Sequence, residues 1–231
     1  MLIFDFKKAK IYQIPFLSFA VLFFLFSCKP HLLEPETVPE LSGLETLLIF
    51  PFKDMAAVYG QNVDVRCPLC GNMFMTGEVS VEAEDMMTDY LTSLMQERTD
   101  FKILTPEQAK GIISGLPPEN KKGPSEVEII VAAGRAFDAD VVMVSHIYRF
   151  TERIGTSYAV DSPASVAFDI HLVRVSDGRI LWVGSFDETQ RPLTENLFKI
   201  GAFFKRKWRW ITAGEMAASA LDDVLTIFLK Q

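Results

Sequence analysis

A largely apolar run from Ile11 to Ser27 ends at Cys28 and divides the chain into a leading segment and a body that must fold without it. Lys7, Lys8 and Lys10 stand ahead of the run. Ile14 to Phe26 carries no charge, with Pro15 near its start, and the small residue Ser27 precedes Cys28. A basic part, an apolar part and a small residue in that order are the layout of an export signal. The run is at the short limit for a spanning helix, which needs about 20 apolar residues, so a retained anchor is the competing reading.

Leu25-Phe26-Ser27-Cys28 resembles the lipobox of bacterial lipoproteins. The resemblance implies that residues 1 to 27 are a signal peptide cut before Cys28, and that Cys28 is then acylated. Each buried CH₂ of an acyl chain contributes about 0.8 kcal/mol, and two or more chains hold a protein stably on a membrane. Lys29 follows the cysteine where lipoproteins retained in the inner membrane often carry Asp, so the resemblance leans towards the periplasmic face of the outer membrane.

Without residues 1 to 27, which hold three Lys and one Asp, the formal charge moves from -7 to -9. Such a balance argues against a generic nucleic-acid surface. About 200 residues rich in Val, Ile, Leu and Phe can bury a core of one domain. Residues 28 to 44, with Pro30, Pro35 and Pro39 among acidic side chains, read as a semi-extended tether in which His31 is solvated. Residues 45 to 231 read as a single α/β domain with an insertion at 54 to 77.

The domain opens with TLLIFPF, a short continuous apolar run predicted to be a buried strand over Thr46 to Phe52. Ser80 to Arg98 has helical spacing, with Met87, Tyr90, Leu91, Leu94 and Met95 on one face and acidic residues in the first turns, where the helix dipole favours them. Those methionines read as core. Phe101 to Leu104 is a short strand, Thr105-Pro106 starts a two-turn helix, and residues 114 to 124 form a loop. Ser125 caps an amphipathic helix to about Phe137, whose Ala133-Gly134 pair suits close packing on a sheet. Val141 to Phe150 is a strand whose core face holds Val142, Val144, His146 and Tyr148, or the alternate set. Ala164 to Val175 and Arg179 to Thr189 form a hairpin around Ser176-Asp177-Gly178. Thr212 to Leu229 makes a final amphipathic helix. The whole predicts a mixed β-sheet with a carboxy-terminal β-meander and helices on its faces.

Cys67 and Cys70 stand in a CPLCG turn that resembles one knuckle of a zinc ribbon. A tetrahedral site needs four ligands, no second knuckle exists, and the remaining histidines are His31, His146 and His171. Three readings stay open. In an exported protein the thiols pair as a disulfide closing a very short loop; or they hold zinc completed by an unseen partner or a second copy; or they form a redox pair. Against the last, Gly71-Asn72 and Gly77 break the segment, so no helix starts at Cys70 to lower a thiol pKa. Asp169 and His171 share a strand face, but no nucleophile with defined geometry can be placed beside them, and Ser145 and His146 point oppositely. Catalysis is not the expectation.

LLIFPF, GRAFDADVVMVSHIYRF and FDIHLVRVSDGRILWVGSFDETQ together resemble the α/β domain shared by the TolB amino-terminal domain, the curli-secretion lipoprotein CsgG and lipoprotein activators of peptidoglycan synthases. Gly134, Ala139-Asp140, Gly178, Ile180-Leu181 and Trp182 carry the match over residues 46 to 190. The resemblance implies a non-enzymatic envelope lipoprotein that binds other envelope proteins or associates with itself. The amphipathic hairpins that a CsgG-type pore needs to line a barrel are missing. Lys205, Arg206, Trp208, Arg209 and Trp210 mix bases with aromatics and suit either a headgroup or docking contact, or a helix end whose aromatics close the core. The alternative function is a thiol- or zinc-dependent envelope factor centred on Cys67 and Cys70.

Overall fold

In a computed structural model the chain divides into residues 1 to 38 and residues 39 to 231. The residues described are 41–105, 124–156, 160–190 and 210–230, all within the second unit. Cys28, His31, Lys205, Arg206, Trp208, Arg209 and the expected helix after Thr105 lie outside them.

The strands are β1 (Thr46–Ile49), β2 (Lys53–Asp54), β3 (Asp64–Arg66), β4 (Met73–Met75), β5 (Lys102–Leu104), β6 (Val141–Thr151), β7 (Ile154–Gly155), β8 (Val160–Ser162), β9 (Ser165–Arg174) and β10 (Ile180–Thr189). The helices are α1 (Met55–Tyr59), α2 (Ala83–Arg98), α3 (Glu126–Ala136) and α4 (Ala213–Leu229). Six strands form one mixed sheet in the order β10-β9-β6-β1-β5, with β2 also on β6. β1 runs parallel to both β5 and β6, and β6, β9 and β10 form the antiparallel meander.

The long strand β6 is the spine. One of its edges is covered in succession by β1 at Val141 to Met143, by β2 at His146 and Ile147, and by residues 77 to 79 through Gly77 N–H to Tyr148 O and Phe150 N–H to Glu78 O. Asp140, just ahead of β6, accepts hydrogen bonds at Oδ2 from the amides of Glu45 and Thr46, both 2.9 Å, which aligns the start of β1. That role accounts for the Ala139-Asp140 phrase as a fold device.

Both faces of β6 and β9 are buried, so the two alternate sets anticipated for β6 are both core. Strands covered on both sides carry near-continuous apolar runs, which is why the sequence offers no alternation to choose by. On one face α2 and α4 pack Met87, Leu91, Met95, Leu221 and Leu225 against Ile49, Met143 and Phe168. On the other, α3 covers Leu48, Val142, Val144 and Val173 with Ile130 and Ala133. Beyond the end of α3, the same face is covered by α1 and the β3–β4 hairpin, which bring Met55, Val65, Cys67 and Phe74 onto Tyr148 and Ala167.

Capping boxes at Ser125/Glu128 and Thr212/Glu215 start α3 and α4, satisfying amides that have no partner in the helix. α3 lies close to the sheet at Gly134, where a Cβ would meet Val175 and sit 2.9 Å from Val142 Cγ2. Gly134→Ala is expected to cost about 2 kcal/mol through overpacking, read by chemical denaturation against Ala132→Ser, a change on the same helix with no such contact expected to be near neutral.

Candidate functional site

The second face of the sheet carries a polar cluster between α3 and the β3–β4 hairpin. In register, His146 of β6 pairs with Asp169 of β9, and Val144 with His171, so His146, Asp169 and His171 project to one side. All three are fully buried. Asp169 accepts a hydrogen bond from His146 Nδ1 at 2.9 Å on Oδ1 and from the Tyr148 hydroxyl at 2.9 Å on Oδ2. His146 Nε2 faces Glu126 Oε1 of α3 at 3.2 Å, and Lys53 Nζ lies 3.7 Å from the same carboxylate oxygen.

With a carboxylate on each ring nitrogen, His146 can satisfy both only as the doubly protonated imidazolium. Burial opposes that charge, but the hydrogen bond to Asp169, with help from Cys67 and Glu126, outweighs it and raises the His146 pKa from 6.5 to about 11. Burial would likewise raise Asp169 and Glu126, and the hydrogen bond to His146 instead holds each below its ordinary range. Burial and the charge of Asp169 push the Tyr148 phenol up, so it remains a donor.

The hairpin adds sulfur to this cluster. Its inward residues Val65 and Phe74 anchor it, Phe74 stacking on Tyr148 with ring centroids 4.1 Å apart. Arg149 Nη1 donates to Met75 O at 2.9 Å, and the Thr76 hydroxyl donates to Gly60 O at 2.8 Å. Between the strands the chain turns through CPLCG. Cys67 N–H donates to Asn72 O at 2.7 Å, Gly71 N–H to Cys67 O at 3.0 Å, and Gly71 has φ 78°, a left-handed value that favours glycine. The amides of Leu69 and Cys70 both donate to Cys67 Sγ at 3.4 Å.

Cys67 is 1% exposed and its Sγ lies 3.5 Å from His171 Nε2. His171 Nδ1 is 3.7 Å from Asp169 Oδ1 and has no hydrogen-bond partner. One ligand atom each from Cys67, Cys70, Asp169 and His171 can be chosen so that all lie within 4.8 Å of one another. Both cysteines are free thiols. Burial pushes the Cys67 thiol up, but the neighbouring His146 and His171 imidazoles outweigh it and bring it from 9.0 to about 6. Burial, with the Cys67 sulfur nearby, pushes Cys70 up to about 12.

Two sequence-based expectations change here. The Asp169–His171 pair does have a sulfur beside it, because a hairpin about 100 residues earlier folds over β9. The knuckle also finds His171 and Asp169 as neighbours within its own chain, where the sequence pointed to a partner or second copy to complete it. Asp169, Tyr148 and Glu126 were the residues missed as part of one cluster with the cysteines. The shared face of Asp169 and His171 was the available signal. Of the basic-aromatic stretch, only Trp210 is described; it is half-buried beside the buried Ile211, whose amide donates to Gln190 Oε1 at 3.1 Å.

No family model matches the chain, and no curated protein matches its sequence. Solved structures that share its course include a PelC dodecamer from Paraburkholderia phytofirmans, 10% identical over 80% of this chain and 88% of that one with a TM-score of 0.46. The LpoB C-terminal domain from Salmonella enterica is 16% identical over 64% and 87%, with a TM-score of 0.37. Lipoprotein GNA1162 from Neisseria meningitidis is 14% identical over 70% and 96%, also at 0.37. Likeness at this level assigns no function, and the resemblance to TolB and CsgG stays one of sequence phrases.

Removing His146 leaves Asp169 buried without its cation. His146→Gln is expected to lose about 3 kcal/mol of stability near pH 6. The raised pKa makes the His146 contribution complete below about 6.5, and it is lost as pH rises through about 11. The gap between wild type and variant should therefore shrink between pH 7 and pH 11 when both are denatured in chelator; a gap that widens with pH would contradict the buried imidazolium.

Proposed function

We propose that this chain is a lipid-anchored envelope protein, tethered through Cys28, whose α/β domain binds other envelope proteins or further copies of itself without catalysing a reaction. The anchoring part rests on the basic, apolar and small-residue order that ends in Leu25-Phe26-Ser27-Cys28. The binding part rests on where the reactive and the sticky groups lie. The side chains with catalytic chemistry, Cys67, His171, Asp169 and His146, are sealed between hairpin and sheet, where no substrate could meet them.

The outer side of the same insertion sets methionine against charge, Met73 opposite Arg66 and Met75 opposite Asp64. Met73 and Met75 project outward from β4 at 54% and 55% exposure, with Val58, Tyr59 and Val63 also exposed on α1 and the approach to β3. Exposed apolar clusters of this kind mark contact surfaces, and methionine adapts to the shape of its partner. A thiol-dependent factor is the second reading, favoured by the approach of Cys67 to His171; its difficulty is that a reactive thiol must be accessible.

A photo-crosslinking residue placed at position 75 of the full chain in cells is expected to trap a discrete protein adduct, and Met73→Glu in the same chain to abolish it. Adducts no different from those captured at Asp161 of β8, a site away from the insertion, would overturn the binding surface. Cys28→Ser is expected to block acylation and cleavage, seen as an unprocessed, unlipidated intact mass; a lipidated mass in that variant would overturn the anchor.

A further inference from the structure

We propose that Cys67, Cys70, His171 and Asp169 bind one zinc ion within a single chain, clamping the β3–β4 hairpin to the sheet. The inference stands apart from partner binding and from lipidation, since it rests on the interior of the domain.

The geometry carries it. Zinc bonds of about 2.3 Å to sulfur and about 2.0 Å to nitrogen place adjacent tetrahedral donors about 3.5 Å apart. Two pairs already stand near that spacing, Cys67 Sγ with His171 Nε2 at 3.5 Å and Asp169 Oδ1 with His171 Nδ1 at 3.7 Å, so the ring can bind through either nitrogen. The four donor atoms lie within 4.8 Å of one another, so closing on an ion requires roughly 1 Å of contraction. Cys70, the least buried of the four and on a turn, can supply it by side-chain rotation.

A second, independent sign is His171 Nδ1. It is fully buried and aimed at Asp169, yet makes no hydrogen bond. Leaving such an atom unmet in a dry interior costs about 1–3 kcal/mol. Coordination through Nδ1, the nitrogen that faces Asp169 Oδ1 at 3.7 Å, would give that atom its partner and remove that cost. The two amides on Cys67 Sγ point the same way, since N–H donors stabilise a sulfur that carries negative charge.

Charge and donor type select the metal. Two thiolates, an imidazole and a carboxylate are a borderline-soft set that suits zinc and excludes magnesium and calcium, which take oxygen. Three anionic donors around a divalent ion leave one negative charge, and the His146 cation on Asp169 offsets it. His146 and Tyr148 then orient the carboxylate from behind, with Glu126 holding the other side of the His146 ring, the arrangement that outer-shell partners take around bound metals. The ion would add a covalent-strength link between residues 67 to 70 and 169 to 171 to the Phe74–Tyr148 stacking and the Arg149–Met75 hydrogen bond that already hold the hairpin on the sheet.

The test uses the full chain extracted in detergent under thiol reductant without oxygen. Metal analysis after zinc loading should give one zinc per chain. Titration of the stripped chain with cobalt should give thiolate-to-cobalt charge transfer together with the intense visible bands of a four-coordinate ion. Cys70→Ser and His171→Gln should weaken zinc by at least about 100-fold, whereas His146→Gln should weaken it by about 10- to 100-fold while keeping one ion per chain. The wild-type cobalt spectrum alone decides the matter if a variant fails to fold. A six-coordinate spectrum, no stoichiometric binding, unchanged affinity in Cys70→Ser, or a Cys67–Cys70 disulfide that forms in a glutathione buffer despite saturating zinc would each overturn the site.

Discussion

Burying a histidine cation between two carboxylates is the constraint around which the second face of this domain is arranged. His146 comes from β6, Asp169 from β9 and Glu126 from the first turn of α3, so three elements must meet correctly before any of the charges is offset. A buried charge without its partner is far more costly than one left in water. The contact thus penalises any slip of β6 against β9, because a shift of one residue would turn His146 away from Asp169. Such a device adds specificity to strands that are otherwise apolar on both faces and would tolerate sliding.

The insertion between β2 and α2 completes what α3 leaves uncovered. α3 spans Glu126–Ala136 and its apolar residues reach only as far as Val142, Val144 and Val173. Tyr148 and Ala167, further along the same face, would be exposed without Phe74, Val65 and Met55. The hairpin therefore serves as a lid over the polar cluster as well as a wall of a small third core. Its outer side carries the exposed Met73 and Met75 opposite Arg66 and Asp64, so one hairpin both covers the polar cluster and shapes this part of the surface.

Much of the architecture was legible in the chain. Ser125 and Thr212 cap their helices through Glu128 and Glu215, as local hydrogen-bonding patterns allow one to expect, and Asp177-Gly178 closes the hairpin with Gly178 at φ 72°. The Ala133-Gly134 pair does sit against the sheet. The choice of core face on β6 was not legible, because Val141 to Phe150 has no polar alternation and both answers are correct. α1, only Met55–Tyr59, was not anticipated; five residues carry too little periodicity to register, and its start depends on Asp54, whose Oδ1 accepts from the amides of Ala56 and Ala57.

Sequence by itself determined the elements whose causes are local: caps, turns, helical stripes, the apolar strands and the leading segment that ends at Cys28. It also exposed Cys67 and Cys70 as a pair, since a CPLCG turn is a short-range geometry. Only the tertiary structure decided what faces that pair. His171 and Asp169 lie about 100 residues further on, on a strand whose partner β6 must first be placed, and a distance of 3.5 Å between Cys67 Sγ and His171 Nε2 is the sum of several such placements. Short-range rules carry no information about that meeting, because it is set by which parts of one sheet face α3 covers and which are left for the hairpin.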